Sequence, residues 1–67
     1  MQVKDIPSEY QLLQNSQDIQ AVSDSIGKDL SDYGCLFVRV ENGDYTGVIG
    51  CYSFTPYLQS IVDQVTP

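Results

Sequence analysis

The chain contains no histidine and no tryptophan, and only three basic residues stand against nine acidic ones. Without histidine, the side chain best suited to proton transfer near neutral pH is missing, and the usual pairing of nucleophile and base has few members left. Two cysteines among 67 residues are too few for a disulfide scaffold and lack metal-site spacing. No catalytic residue, cofactor site or metal site is therefore expected. Gly43, Gly47 and Gly50 sit inside one strand-rich stretch rather than between a strand and a helix, so they make no phosphate cradle. No loop has the carboxylate spacing of a calcium site.

Long apolar runs are also missing. Every hydrophobic stretch is broken within a few positions, so no segment reads as a membrane span, and Met1 to Asp5 lacks the basic-then-apolar layout of a secretory signal. A cytoplasmic protein is the default expectation. The net charge of −6 repels nucleic acid and anionic lipid alike. Direct binding to either is not expected.

What is present is 42% hydrophobic residues, including five Tyr and two Phe, which argues for a folded chain. At this length a single small domain over residues 1–67 is expected. Such a domain buries only about 60% of its unfolded surface, so its stability is marginal.

The organising stretch runs from Cys35 to Tyr52. Cys35-Leu36-Phe37-Val38-Arg39-Val40 is rich in β-branched and aromatic side chains, and Asn42-Gly43 supplies two residues tolerant of positive φ. A β-hairpin is expected. With a two-residue loop, Glu41 faces Asp44, Val40 faces Tyr45 and Val38 faces Gly47, leaving a gap at Gly47 for a helix to approach. With a three-residue loop, Phe37 faces Ile49 and Cys35 faces Cys51, and the second strand presents its other face. The two-residue loop is preferred, because the alternative sets Arg39 opposite Gly47. Cys35 and Cys51 are then buried thiols, bridged only if the register sets them opposite one another.

Before the hairpin, Ser8 and Gln11 match a capping box, which predicts a helix from Ser8. The polar run Gln14-Asn15-Ser16-Gln17 predicts a break or kink near Asn15, with Asn15 or Ser16 capping a fresh start and Asp18 favourable in its first turn. Ile19, Val22, Ile26, Leu30 and Tyr33 then fall within roughly 80° of one another on a helical wheel, predicting a main helix from about Gln17 to Tyr33 that ends at Gly34. After the hairpin, Thr55-Pro56 followed by Leu58, Ile61, Val62 and Val65 predicts a short C-terminal helix. The expected fold is α+β: a broken N-terminal helix, a central antiparallel hairpin and a short C-terminal helix, with the helices on one face of the hairpin. A hairpin alone leaves its outer edges unpaired, so a homodimer joining two hairpins is expected.

The candidate site is a surface. Asp18, Asp24, Asp29 and Asp32 project away from the apolar stripe, and Glu41 and Asp44 extend the acidic surface to the hairpin tip. Tyr10 and Tyr57, near expected helix starts, are candidate anchors for a partner. Lys28 is placed to pair with Asp24 and Asp32. Arg39 reads as a sheet-surface charge paired with a carboxylate. Together these features suggest a non-enzymatic protein-binding module whose partner is another protein, basic or nucleic-acid-binding, with an inhibitor or DNA mimic of phage or plasmid type as the sharper form. The alternative is a structural subunit that assembles through the hairpin edge. Five tyrosines and a solvated acidic helix also suit an ordinary small soluble domain.

Overall fold

The computed structural model describes residues 2–52 and 62–66. A short 3-10 helix, Val3–Asp5, precedes strand β1 (Gln11–Leu13), helix α1 (Ser16–Ile26), strands β2 (Cys35–Glu41) and β3 (Asp44–Cys51), and strand β4 (Val62–Gln64). The four strands form one antiparallel sheet in the order β1-β2-β3-β4. The fold is therefore mixed α+β, with one helix and a four-stranded sheet among the described residues.

The hairpin of β2 and β3 combines both registers the sequence allows. At the tip, Asn42 (φ 54°) and Gly43 (φ 82°) form a two-residue turn, with Glu41 opposite Asp44 and Val40 opposite Tyr45. Between Arg39 and Val40 the ladder shifts, and Thr46 is the extra residue of a β-bulge. Below it Arg39 faces Gly47, Phe37 faces Ile49 and Cys35 faces Cys51. The bulge moves the body of β3 to the opposite face from the one a continuous two-residue register would give.

Arg39 secures the bulge. Its Nε donates to Thr46 Oγ1 at 3.1 Å and its Nη2 to the Thr46 carbonyl at 3.2 Å. The bulged residue thus keeps partners for polar groups that the shifted ladder would otherwise leave to solvent.

Both faces of the sheet are covered. On one, Leu36, Val38 and Val48 pack with Ile19, Val22 and Leu30. On the other, Cys35, Ile49, Cys51 and Val62 pack with Val3, Ile6, Tyr10 and Phe37. The expected arrangement of two helices on a single face is replaced by α1 on one side and the N-terminal segment on the other.

Helix α1 begins where a fresh start was expected. The Asn15 side chain accepts a hydrogen bond from the Gln17 amide at 2.7 Å, and Asp18 lies in the first turn. It ends at Ile26 rather than Tyr33, because Gly27 adopts a left-handed conformation (φ 71°) and donates its amide to the Ser23 carbonyl at 3.0 Å. The apolar stripe survives this early stop. Leu30 and Tyr33 reach the same core as Ile19, Val22 and Ile26, but from the loop that follows the helix. Ser23 organises that loop, its hydroxyl donating to the Lys28 carbonyl and accepting from the Leu30 amide. Fully burying a leucine contributes about 1.5–3 kcal/mol, enough to fix this path.

Two further expectations are corrected. The helix from Ser8 is replaced by a turn, in which the Tyr10 amide donates to the Pro7 carbonyl, and by β1. The alternation of Tyr10 and Leu13 between the two cores serves a strand lying along Leu36–Val38. At the other end, Val62–Gln64 is a strand rather than the end of a helix, with Val62 in one core and Val65 against the other. The expected helix start at Thr55-Pro56 lies outside the described residues. β1 and β4 thereby pair the hairpin edges at Leu36–Val38 and Ile49–Cys51, so the larger sheet is completed within one chain.

Two glycines of β3 are filled by tyrosine rings. A Cβ on Gly50 would lie 2.5–2.6 Å from the Cδ1, Cε1 and Cγ atoms of Tyr33, near the base of the ring. A Cβ on Gly47 would meet the hydroxyl end of Tyr10, the far end of that side chain. Helix α1 therefore does not use the Gly47 gap. Gly50→Ala is expected to lower stability by about 1–3 kcal/mol, and Gly47→Ala by less. Paired thermal melts check the ranking, and equal losses would contradict it.

Candidate functional site

The acidic residues divide between two supports. Asp18 and Asp24 lie on α1, exposed, with Asp24 accepting a hydrogen bond from Gln20 Nε2 at 2.9 Å. Asp29 and Asp32 are not helical, because the helix has already ended; they sit in the connection to β2, also exposed. Asp29 accepts from the Ser31 amide at 3.0 Å, and that bond, with a further one from the Ser31 side chain, holds its carboxyl below the usual range. Glu41 and Asp44 face one another across the hairpin turn.

Two of the three cations are spent elsewhere. Lys28 Nζ donates to the Val65 carbonyl at 2.8 Å, tying the end of α1 to the segment after β4, and forms no ion pair with Asp24 or Asp32. Arg39 lies 3.3 Å from Glu9 and 3.4 Å from Glu41, with its guanidinium 5.4 Å from the Tyr10 ring centroid. The Glu9 hydrogen bond raises the Arg39 pKa, while burial acts against it. Every nitrogen of this guanidinium is thus engaged within the chain, which fits the reading of a paired sheet-surface charge. Among the described residues no ion pair involves Asp18, Asp24, Asp29, Asp32 or Asp44.

The two candidate anchors fare differently. Tyr10 is half-buried, its ring lying over Gly47 and beneath Arg39, so it serves the second core rather than standing free at a helix start. Tyr57 lies outside the described residues. Among the described residues the exposed tyrosine is instead Tyr52, at 52% of its full exposure. Its hydroxyl and that of Tyr33 both donate to Asp63 Oδ2, at 2.5 and 3.2 Å, and the two rings lie 5.0 Å apart. The Asp63 hydrogen bond is the main cause holding the Tyr52 phenol protonated well above its ordinary range. Nothing local in the sequence announces this cluster, which exists only because β4 places Asp63 opposite Gly50.

Cys35 and Cys51 are free, buried and directly opposite. Burial raises both thiols, Cys51 to about 12. Among the described residues no group of three or more histidine, cysteine or carboxylate side chains is placed to hold a metal ion. None of the described helices is long and apolar enough to cross a membrane.

An open groove of about 270 Å³ runs between the hairpin tip and the first turns of α1. Leu13, Val38, Val40 and Tyr45 form its apolar lining. Gln11, Asp18 and Ala21 edge it.

With this geometry in place, the sequence can be set beside known proteins. Residues 2–64 match a family described as a domain of unknown function, DUF6839. The chain belongs to this family. A solved structure with the same fold is that of TTMA177, a hypothetical protein from Thermus thermophilus phage TMA. The two are 39% identical and superpose with a TM-score of 0.75, over 92% of this chain and 91% of the other. No curated protein matches the sequence.

The buried thiols generate a test. Cys51 keeps its proton in the folded state beyond the ordinary value of 9.0, so the unfolded chain binds fewer protons between about pH 9 and about 12. Stability is accordingly intact below pH 9 and falls above it, by up to about 1.4 kcal/mol per pH unit from this group. Denaturant melts of the parent and of Cys51→Ala across that range check the sign. An identical alkaline decline in the variant would contradict the assignment.

Proposed function

We propose that this protein is a non-enzymatic protein-binding module whose acidic surface docks on another protein, basic or nucleic-acid-binding. In its sharper form it is an inhibitor or DNA mimic of the phage or plasmid type. The observation that carries the reading is the use of two of the three cations: Lys28 and Arg39 are occupied with holding the fold, and among the described residues Asp18, Asp24, Asp29, Asp32 and Asp44 are exposed and in no ion pair. A chain of net charge −6 with this distribution attracts a cationic surface over a Debye length of about 8 Å at physiological salt. The similar protein TTMA177 comes from a phage, which is in keeping with the phage-type form of this reading.

A second reading, assembly through the hairpin as a structural subunit or homodimer, is favoured by the half-exposed Val40 at the tip and by the Arg39–Glu41 stretch of β2, which extends past the end of β1. The two readings separate on salt. Affinity capture from a lysate of cells that harbour the protein, at low and at roughly 0.5 M salt, is expected to yield a partner that is lost at the higher salt. The same partner is expected to be lost from the Asp24→Asn, Asp29→Asn, Asp32→Asn triple variant. A partner retained under both changes would overturn the acidic-surface reading in favour of assembly.

A further inference from the structure

The hairpin is longer than the helix that covers it. An 11-residue α1 spans about 16 Å and the eight residues of β3 about 26 Å, and the face that buries Val38 and Val48 against Ile19 and Val22 leaves Val40 near the tip half-exposed. The groove opens beside it. Val40 is 50% exposed there and Tyr45 opposite it is half-buried, although both continue the apolar face that Val38 and Val48 bury beneath α1. The bulge at Thr46 does not remove them from this face, because their pairing belongs to the turn-side register.

The charge at the groove selects what can fill it. Asp18 edges it, exposed and without an ion-pair partner among the described residues. A second copy of the chain brings another −6 against it, and an anionic membrane or nucleic acid is repelled for the same reason. A segment that offers aliphatic side chains to Val40 and Tyr45 and a Lys or Arg to Asp18 satisfies both requirements.

We propose that the groove between α1 and the hairpin tip is the site at which this protein seats an extended, alternating apolar and basic segment of a partner protein. This rests on the acidic-docking reading and adds to that surface a seat edged by Asp18, since Asp24, Asp29 and Asp32 lie outside the groove lining.

The test is an amide-resonance titration of the isotopically labelled protein with three capped peptides of equal length. One alternates Leu and Val with Lys and Arg; one keeps the same basic residues but replaces the aliphatic ones by Gly and Ser; one alternates Leu and Val with Glu. The first is expected to shift Gln11, Asp18, Ala21, Val40 and Tyr45 selectively. Asp18→Asn should weaken it by about two- to fivefold, the range of a solvent-exposed ion pair. Val40→Ser, in a variant whose amide spectrum stays dispersed, should weaken it as well.

Equal binding of the Gly/Ser peptide, with shifts spread over Asp24, Asp29 and Asp32, would overturn the groove while leaving the acidic reading standing. Equal binding of the Glu peptide would overturn the charge selection. Groove shifts that depend on protein concentration without peptide would make a second copy the occupant. Absence of binding by all three peptides would overturn the groove proposal, and the salt-dependent capture would still decide the broader reading.

Discussion

Arg39 and Thr46 hold the hairpin in a shape that neither of its simple registers would produce. The Asn42-Gly43 turn imposes one pairing at the tip, and the apolar residues of β3 require the other in the body. A single extra residue reconciles them, and the guanidinium of Arg39, donating to both the hydroxyl and the carbonyl of Thr46, holds that residue in place. Because side chains alternate along a strand, the shift decides which of Val48, Ile49, Gly50 and Cys51 meets the helix and which meets the N-terminal segment. The assignment of residues to the two cores follows from it.

The tyrosines follow as well. Gly47 and Gly50 lie on opposite faces, and each receives one ring, Tyr10 on the N-terminal side and Tyr33 on the helix side. Tyr10 then supports Arg39 from below, so the residue that stabilises the bulge is itself packed by the glycine the bulge positions. Tyr33 reaches across Gly50 to Asp63 and helps hold β4 against β3. A small domain gains here by closing its sheet within the chain, with strands of three residues protecting the longer hairpin edges.

Much of this was legible in residues whose local and global preferences agree. The Asn42-Gly43 turn, the Asn15 cap and the membership of Ile19, Val22, Ile26, Leu30 and Tyr33 in one core all follow from spacing and residue type. The extent of α1 was not, because the apolar stripe runs on to Tyr33 at helical spacing while Gly27, inside it, ends the helix in a left-handed turn. β1 was hidden by a capping-box pattern at Ser8 and Gln11, whose local preference is weaker than the hydrogen bonds available along β2. The bulge was illegible because one register, that of the two-residue loop, is preferred for the whole hairpin, whereas each register holds over a different part of it. For the candidate site, the carboxylates are exposed as their composition suggests, but Tyr10 is claimed by packing, and the Tyr33, Tyr52 and Asp63 cluster depends on a pairing only the folded sheet creates.

The surface left after these demands are met is acidic, with Lys28 and Arg39 engaged in structural contacts, and its groove lies beside the half-exposed Val40 near the hairpin tip. The bulged register gives Arg39 its contacts with Thr46, whereas Val40 and Tyr45 share the helix side through the pairing at the turn. Cross-strand nuclear Overhauser contacts along the hairpin measure that register directly. The account predicts that Val40 opposes Tyr45, Arg39 opposes Gly47, Phe37 opposes Ile49 and Cys35 opposes Cys51, with Thr46 unpaired. An unbroken ladder in which Val38 opposes Gly47 and Leu36 opposes Ile49 would contradict it, and with it the division of the molecule into its two cores.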